Sequence, residues 1–197
     1  LSFSPTTFFT KYGIDFDLGF DFDVMSDDSP IGFSPKIKAT NELVKGVLLI
    51  YGGLGHSEKK HTFKSLSDEN PYIHSFGTNQ SILVDSSFLQ ELKITDTQEL
   101  YLAMRNILGK GEVFEGSIAY GIVQNLAHFI DFDHQSYNRF KIAYLDVNVK
   151  QLHANANYSR KINEIISLNA NVDYFSWDVD IYHKPNLTVN LSAPINL

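Results

Sequence analysis

Apolar and polar side chains alternate with a period of two along most of this chain. The longest run is Lys11 to Val24. Tyr12, Ile14, Phe16, Leu18, Phe20, Phe22 and Val24 fall on one face, and Lys11, Gly13, Asp15, Asp17, Gly19, Asp21 and Asp23 on the other. Successive side chains of a strand point to opposite faces, so the run predicts a strand apolar on one side and polar on the other. At ~3.3 Å per residue it would extend ~45 Å. That exceeds the ~5–6 residues of an ordinary globular strand. It is ample for a tilted membrane strand of ~9–11 residues.

Shorter stretches repeat the pattern. Ile37 and Ala39 alternate with Lys36, Lys38 and Thr40, and Leu100, Leu102 and Met104 alternate with their polar neighbours. Phe114 to Ile122, Leu152 to Tyr158, Ile166 to Tyr174 and Leu187 to Ile195 do the same. From Val44 to Gly52 the apolar residues occupy both faces. From Phe140 to Val149 the phase changes near Lys150, which predicts a bulge or an overhang. Tight turns are expected at Thr40-Asn41-Glu42, Leu108 to Gly111 and Ser159 to Asn163. Longer connections are expected at Ser26–Pro30, Gly53–Asp96, Gln124–Arg139 and Phe175–Pro185. Long and short alternate at successive turns, as in an antiparallel up-and-down transmembrane β-barrel with tight turns at one end and long loops at the other. The expectation is an all-β fold with about eight strands, forming part of a larger barrel. Residues 1–197 then form one barrel portion, with a long outer loop at about 53–96.

The polar face sharpens this picture. A soluble sandwich turns that face to bulk water and fills it with Lys and Glu. The last three strands here carry Asn, Ser, Thr, Gln and His instead, as a barrel lumen would. Tyr12, Tyr158 and Tyr174 stand at the ends of apolar faces, where an interfacial girdle is expected. Helical periodicity is weak, and only parts of Ser65 to Leu92 suit a short helix. The longest apolar run is Val47 to Tyr51, far short of the ~18 residues of a membrane helix. A barrel needs no such run. A hydrophobic fraction of 43% excludes wholesale disorder. The net charge of −7 argues against a general nucleic-acid binder. Cysteine is absent, which excludes disulfides, thiolate metal sites and a Cys nucleophile. The chain opens on Leu1 with no leader-like segment and stops within a strand-like pattern, as expected of a piece of a longer chain.

Candidate chemistry is sparse. Asp15, Asp17, Asp21 and Asp23 share a face and suggest a cation site or a lumenal acidic ladder for ligands. Alternate residues on a strand lie ~7 Å apart, too far for one ion to gather all four. A wall neutralised by Lys36 and Lys38 on the next strand fits better. Gly52-Gly53-Leu54-Gly55-His56-Ser57 lacks the Gly-Lys-Ser/Thr ending of a phosphate loop and the glycine spacing of a dinucleotide turn. Asp131, Asp133 and His134 near His128, and Asp178, Asp180 and His183, read as solvated loop residues rather than metal or acid–base sites. The sequons at Asn79, Asn157, Asn186 and Asn190 carry no functional weight, because three of them fall within strands. No catalytic residue, metal site or cofactor is assigned, and the chain is expected not to be an enzyme.

Three stretches carry a family resemblance. They are Asn41 to Gly53 with Gly46-Val47-Leu48-Leu49-Ile50-Tyr51, the loop Ser67-Asp68-Glu69-Asn70-Pro71-Tyr72-Ile73, and Tyr174 to Asp178 with Tyr182-His183-Lys184-Pro185-Asn186. In these the chain resembles the barrel part of TonB-dependent-receptor-like outer-membrane proteins of Gram-negative bacteria. A whole receptor of that kind has ~22 strands and an internal plug. No plug-like segment is seen here. The resemblance implies location in the bacterial outer membrane and a role in solute uptake or passage, or in an outer-membrane complex. Implied partners are the lipid bilayer and other outer-membrane proteins or lipoproteins met through the long loops, with no nucleic acid. Phe16, Leu18, Phe20, Ile118, Leu168 and Leu191 would face lipid. Leu168→Arg at the membrane midplane would then cost ~2–4 kcal/mol. Two alternatives stay open: a soluble secreted β-sandwich that binds carbohydrate or protein, and a small complete eight-stranded barrel.

Overall fold

The computed structural model describes residues 2–23, 32–73, 92–131, 140–181 and 183–195. In chain order these form β1 (Ser2–Phe3), β2 (Thr6–Lys11), β3 (Ile14–Asp23), β4 (Gly32–Val44), β5 (Leu48–Lys60), α1 (Phe63–Glu69), β6 (Ile94–Gly109) and β7 (Glu112–Gln124). There follow β8 (Ala127–Asp131), β9 (Phe140–Tyr144), β10 (Val149–Lys161), β11 (Ser167–Trp177) and β12 (Leu187–Ser192). Ten strands make one antiparallel sheet, and β8 and β9 pair separately. β1 and β2 lie along successive parts of β3, so the sheet is nine strands wide, ordered β1/β2-β3-β4-β5-β6-β7-β10-β11-β12. The fold is all-β, antiparallel and barrel-like. The sheet is open, since β1/β2 and β12 are not paired with each other among the described residues.

Several expectations change. Lys11 to Asp23 is not one strand but the end of β2, a turn and the second arm of a hairpin, and Val24 lies outside the described residues. Lys11 pairs with Ile14, and Tyr12 and Gly13 both take positive φ, at 55° and 76°. That is the two-residue connection whose twist suits a hairpin. Tyr12 is therefore a turn residue and not a member of the strand's apolar ladder. The turn expected at Thr40-Asn41-Glu42 falls at Lys45-Gly46-Val47, after a bulge between Glu42 and Val44. The phase change near Lys150 marks the passage from β9 to β10, not a bulge. The expected loop at Gln124–Arg139 contains β8. The Ser26–Pro30 connection lies outside the described residues. Strands β5 and β6 run further than expected, so their connection spans 61–93 rather than 53–96. The expected helix starts two residues earlier, with Thr62 accepting from the Ser65 backbone N–H in a capping box.

Register makes the two faces continuous. One cross-strand row reads Phe9, Phe16, Ala39, Gly52, Leu102, Ile118, Ala154, Tyr174 and Leu187. It is apolar on every strand. A row on the other face reads Asp15, Thr40, Tyr51, Ala103, Ser117, Asn155, Asp173 and Thr188. The apolar face is uncovered: Leu102, Ile118 and Leu191 are 57%, 49% and 74% exposed. A sandwich would bury these positions against a second sheet. Here the second sheet is the β8–β9 pair, which packs elsewhere. The apolar face ends in polar groups at both sides. On β10 these are Lys150 and Arg160, ten residues apart. Ten residues tilted by ~40° rise ~25 Å, the height of a barrel's lipid band.

The core lies at the long-loop end. Leu66 of α1, Ala127 and Phe129 of β8 and Ile142 of β9 form one buried cluster. Val123, Leu126 and Val149 form another, with Trp177, Val179 and Ile181 packed on it. The connections 61–93, 125–148 and 178–186 all leave this end of the sheet, and the tight turns lie at the other.

Gly53 and Gly55 both sit on the polar face of β5 and give a contrast. A Cβ at Gly53 would run into the backbone of Ile37 on β4, whereas one at Gly55 meets nothing closer than the Tyr101 ring, at 3.5 Å. Gly53→Ala is expected to destabilise the sheet by about 1–3 kcal/mol and Gly55→Ala by less than about 0.5. Urea unfolding of the two variants in detergent checks the order.

Candidate functional site: a zoned polar wall beneath a loop cap

The polar face divides into three zones. The first holds the expected acidic ladder. Asp15, Asp17 and Asp21 line β3, and Lys36 and Lys38 face them from β4. Lys36 Nζ lies 2.7 Å from Asp21, Thr10 donates to Asp15 at 2.6 Å, and Lys38 stands over the Tyr51 ring at 5.0 Å. The backbone of Asp23 continues the strand opposite Gly32. Its side chain lies outside the described set. The structure therefore places the acids in one line without gathering them. Among the described residues no group of three or more His, Cys, Asp or Glu could hold a metal ion.

The second zone is low in relief. Tyr51 and Tyr101 meet edge to face at 6.4 Å, among Gly53, Gly55, Ala103, Ala119 and Gly121. The Gly52-to-Ser57 stretch is simply part of β5. Toward the tight-turn end, Arg105 and Glu115 pair at 3.2 Å.

The third zone spans β10 to β12 and is a directed row of amides. Asn190 donates to Asn171 at 3.3 Å, Asn171 to Asn157 at 2.7 Å and Asn157 to Asn155 at 2.5 Å. Asn155 donates to Asp173 at 2.7 Å, and His153 lies 3.1 Å from the same carboxylate. The His153 ring then stacks on Phe175 at 4.2 Å, and Phe175 on Trp177 at 5.6 Å. Trp177 donates to Gln151 at 3.2 Å. A groove of about 570 Å³ opens on this zone, lined among others by Asn157, Asn169, Asn171, Asn190 and Ser192. The Asn-rich composition of this face is visible in the sequence. The row itself depends on registers between three strands, which no local pattern encodes.

Above the sheet the connections knit into a cap. His61 Nε2 meets Thr95 Oγ1 at 2.8 Å, and Thr95 donates to the Asn125 carbonyl at 2.7 Å. Asn125 holds φ 50° and donates its side-chain amide to the Ile94 carbonyl at 3.3 Å. Glu69 accepts from Lys184 at 2.8 Å and from Lys59 at 3.2 Å, joining two loops to the end of β5. The His183 ring meets Phe140 edge-on at 4.8 Å. Asp178 accepts from the Lys150 backbone at 2.8 Å, so Asp178 and His183 serve separate contacts and form no joint site. His128 sits in β8, Asp131 ends that strand, and Asp133 and His134 lie outside the described residues.

Burial, reinforced by the Lys59 charge, holds the His61 imidazole below its ordinary value, and burial does the same for His128. Burial raises the Glu69 carboxyl, but the Lys184 and Lys59 ammonium groups outweigh it and leave the carboxyl below its ordinary range. All three groups bind protons more readily when the cap is open. Cap stability is therefore full above the ordinary histidine value of 6.5, falls as pH drops through it, and falls again below the ordinary carboxylate value of 4.5 as Glu69 takes up its proton. Amide-exchange protection of α1 and β8, corrected for intrinsic rates, is expected to be lower at pH 5.5 than at pH 7.5, while that of β6 and β7 stays level. Equal protection at both pH values would contradict the assignment.

No protein-family model matches the chain, and no curated protein matches it by sequence. Among solved structures it is similar to a copper transporter, OprC, with a TM-score of 0.50 and 14% identity. The likeness covers 89% of this chain and 27% of that one, so the chain spans less than a third of the length of that structure. At this identity the two share a fold, a run of antiparallel barrel-type strands.

Proposed function

We propose that this chain forms part of the wall of a bacterial outer-membrane β-barrel, of TonB-dependent-receptor-like type, through which a solute is taken up or passes. The observation that carries this is the uncovered apolar face, nine strands wide and bounded by Lys150 and Arg160 on β10. Water makes such a surface costly, and a lipid core makes it the favoured one. The opposite face supplies a hydrogen-bonding lining, as a lumen requires. The fold likeness to part of a transporter agrees with this reading. The edges of these nine strands do not meet among the described residues, which supports a barrel with further strands. Copper stays with OprC, since nothing in the wall described above carries it over. The role needs no bond chemistry and no cofactor. The capped loops are the surface offered to other outer-membrane proteins or lipoproteins.

Depth along the strand refines the choice of test. Leu168 pairs with Arg160 at the edge of the apolar band, not at its midplane. Ile118 pairs with Leu102 and Ala154 in the middle. Ile118→Arg is expected to cost ~2–4 kcal/mol and Leu168→Arg only ~0–1. The measurement is the heat-shifted band of the protein from isolated outer membranes, run boiled and unboiled. It should be lost for Ile118→Arg and kept for Leu168→Arg. A soluble wild-type species with no heat shift would overturn the membrane reading.

A further inference from the structure

The third zone of the wall is rich in neutral hydrogen-bonding groups, and their bonds run in one direction. An Asn side chain offers two N–H donors and two acceptor lone pairs. Asn157 uses one donor toward Asn155 and one lone pair toward Asn171, so one of each remains. Asn190 donates once, to Asn171. Among the described residues Asn169, Ser159 and Ser192 make no side-chain hydrogen bond, yet all three line the groove. Fixed amides with unused donors and acceptors side by side match a ligand whose own groups both donate and accept, as hydroxyls do.

The charged groups here all have polar partners. Asp173 is held by His153 and Asn155, and Arg105 by Glu115. Asp15 and Asp17, which make no ion pair among the described residues, sit on the distant strand β3. Arg105 and Glu115, which line the groove, are paired with each other, so an anion or a cation would have to displace one of them to find a counter-charge there. At the loop end the row runs into the parallel rings of His153, Phe175 and Trp177. From Ser159 to Gln151 the strip is ~26 Å long, the reach of a chain ligand rather than a single small molecule. A peptide would usually bind a sheet by adding to its edge through main-chain bonds. The groove is lined by side chains over β10 and β11, whose main chains are already committed on both sides, and only β12 keeps an edge unpaired among the described residues.

We infer that the groove over β10, β11 and β12 binds a neutral, hydroxyl-rich chain, an oligosaccharide, along the amide row. The inference rests on the barrel reading above and names the class of solute for it. The test uses the complete protein that carries this chain, purified from outer membranes in detergent, with calorimetric titration of three probes: isomaltohexaose, the anionic hexagalacturonate and hexaglycine. Isomaltohexaose is expected to bind and the other two to bind at least about tenfold more weakly. Asn171→Leu should weaken isomaltohexaose about tenfold by leaving its partners unpaired. Asn169→Ala removes a groove amide that the wall does not use, and should weaken it without disturbing the row. Lys45→Gln, in the exposed turn between β4 and β5 and outside all three zones, should leave binding unchanged. Binding of hexaglycine or hexagalacturonate as tight as that of the sugar overturns the inference. So does no sugar binding, or undiminished binding in Asn169→Ala. The heat-shifted band separates the two levels. A protein that keeps it without binding sugar loses only the inference, and one that lacks it loses the barrel reading as well.

Discussion

Every feature of this molecule depends on the pairing of its backbone across nine strands. A peptide group in an apolar setting must find a partner within the structure, and an antiparallel ladder provides one. Once the ladder is set, the period-two geometry assigns each side chain to a face. A slip of one residue in any strand would exchange its faces wholesale. A slip in β3, β4 or β10 would bring Asp15 or Asp17, Lys38, or Asn155 into the row from Phe9 to Leu187. The apolar row, the acidic ladder and the amide row are thus consequences of one set of registers.

Much of the fold was legible in the sequence because alternation is a local signal. The strand bodies around Leu102, Ile118, Ala154 and Val172 and the alternation of loop lengths followed from it directly. The hairpin at Tyr12-Gly13 did not. Alternation continues unbroken from Lys11 into β3, and a two-residue turn leaves no gap in it. The Gly at position 13 was the only sign, and Gly19 later in the same run offered a competing one. The turn near Gly46 was displaced because Thr40-Asn41-Glu42 looks turn-like while remaining in β4. Strands β8 and β9 were obscured for a different reason. Their apolar residues serve a small cluster with Leu66, which lies far away in sequence.

The acidic residues were visible as a set, and their line along β3 followed from spacing. What the sequence withheld was which groups meet across strands. Asn157, Asn171 and Asn190 stand on three different strands, and no motif links them. Position within the membrane band was equally hidden. Leu168 alternates as regularly as Ile118, but only pairing with Arg160 shows how near the boundary it lies.

The cap has a consequence for how such a protein can change over generations. Leu66 packs on strands from another connection, and Glu69 is tied to Lys184, 115 residues away. The connection 61–93, the β8–β9 segment and the loop 178–186 therefore do not drift independently. A lengthened loop or an altered contact in one removes the footing of the other two. Variation at this end of the barrel is expected to be inherited in blocks, with the connections replaced as a matched set while the strands beneath them stay as they are.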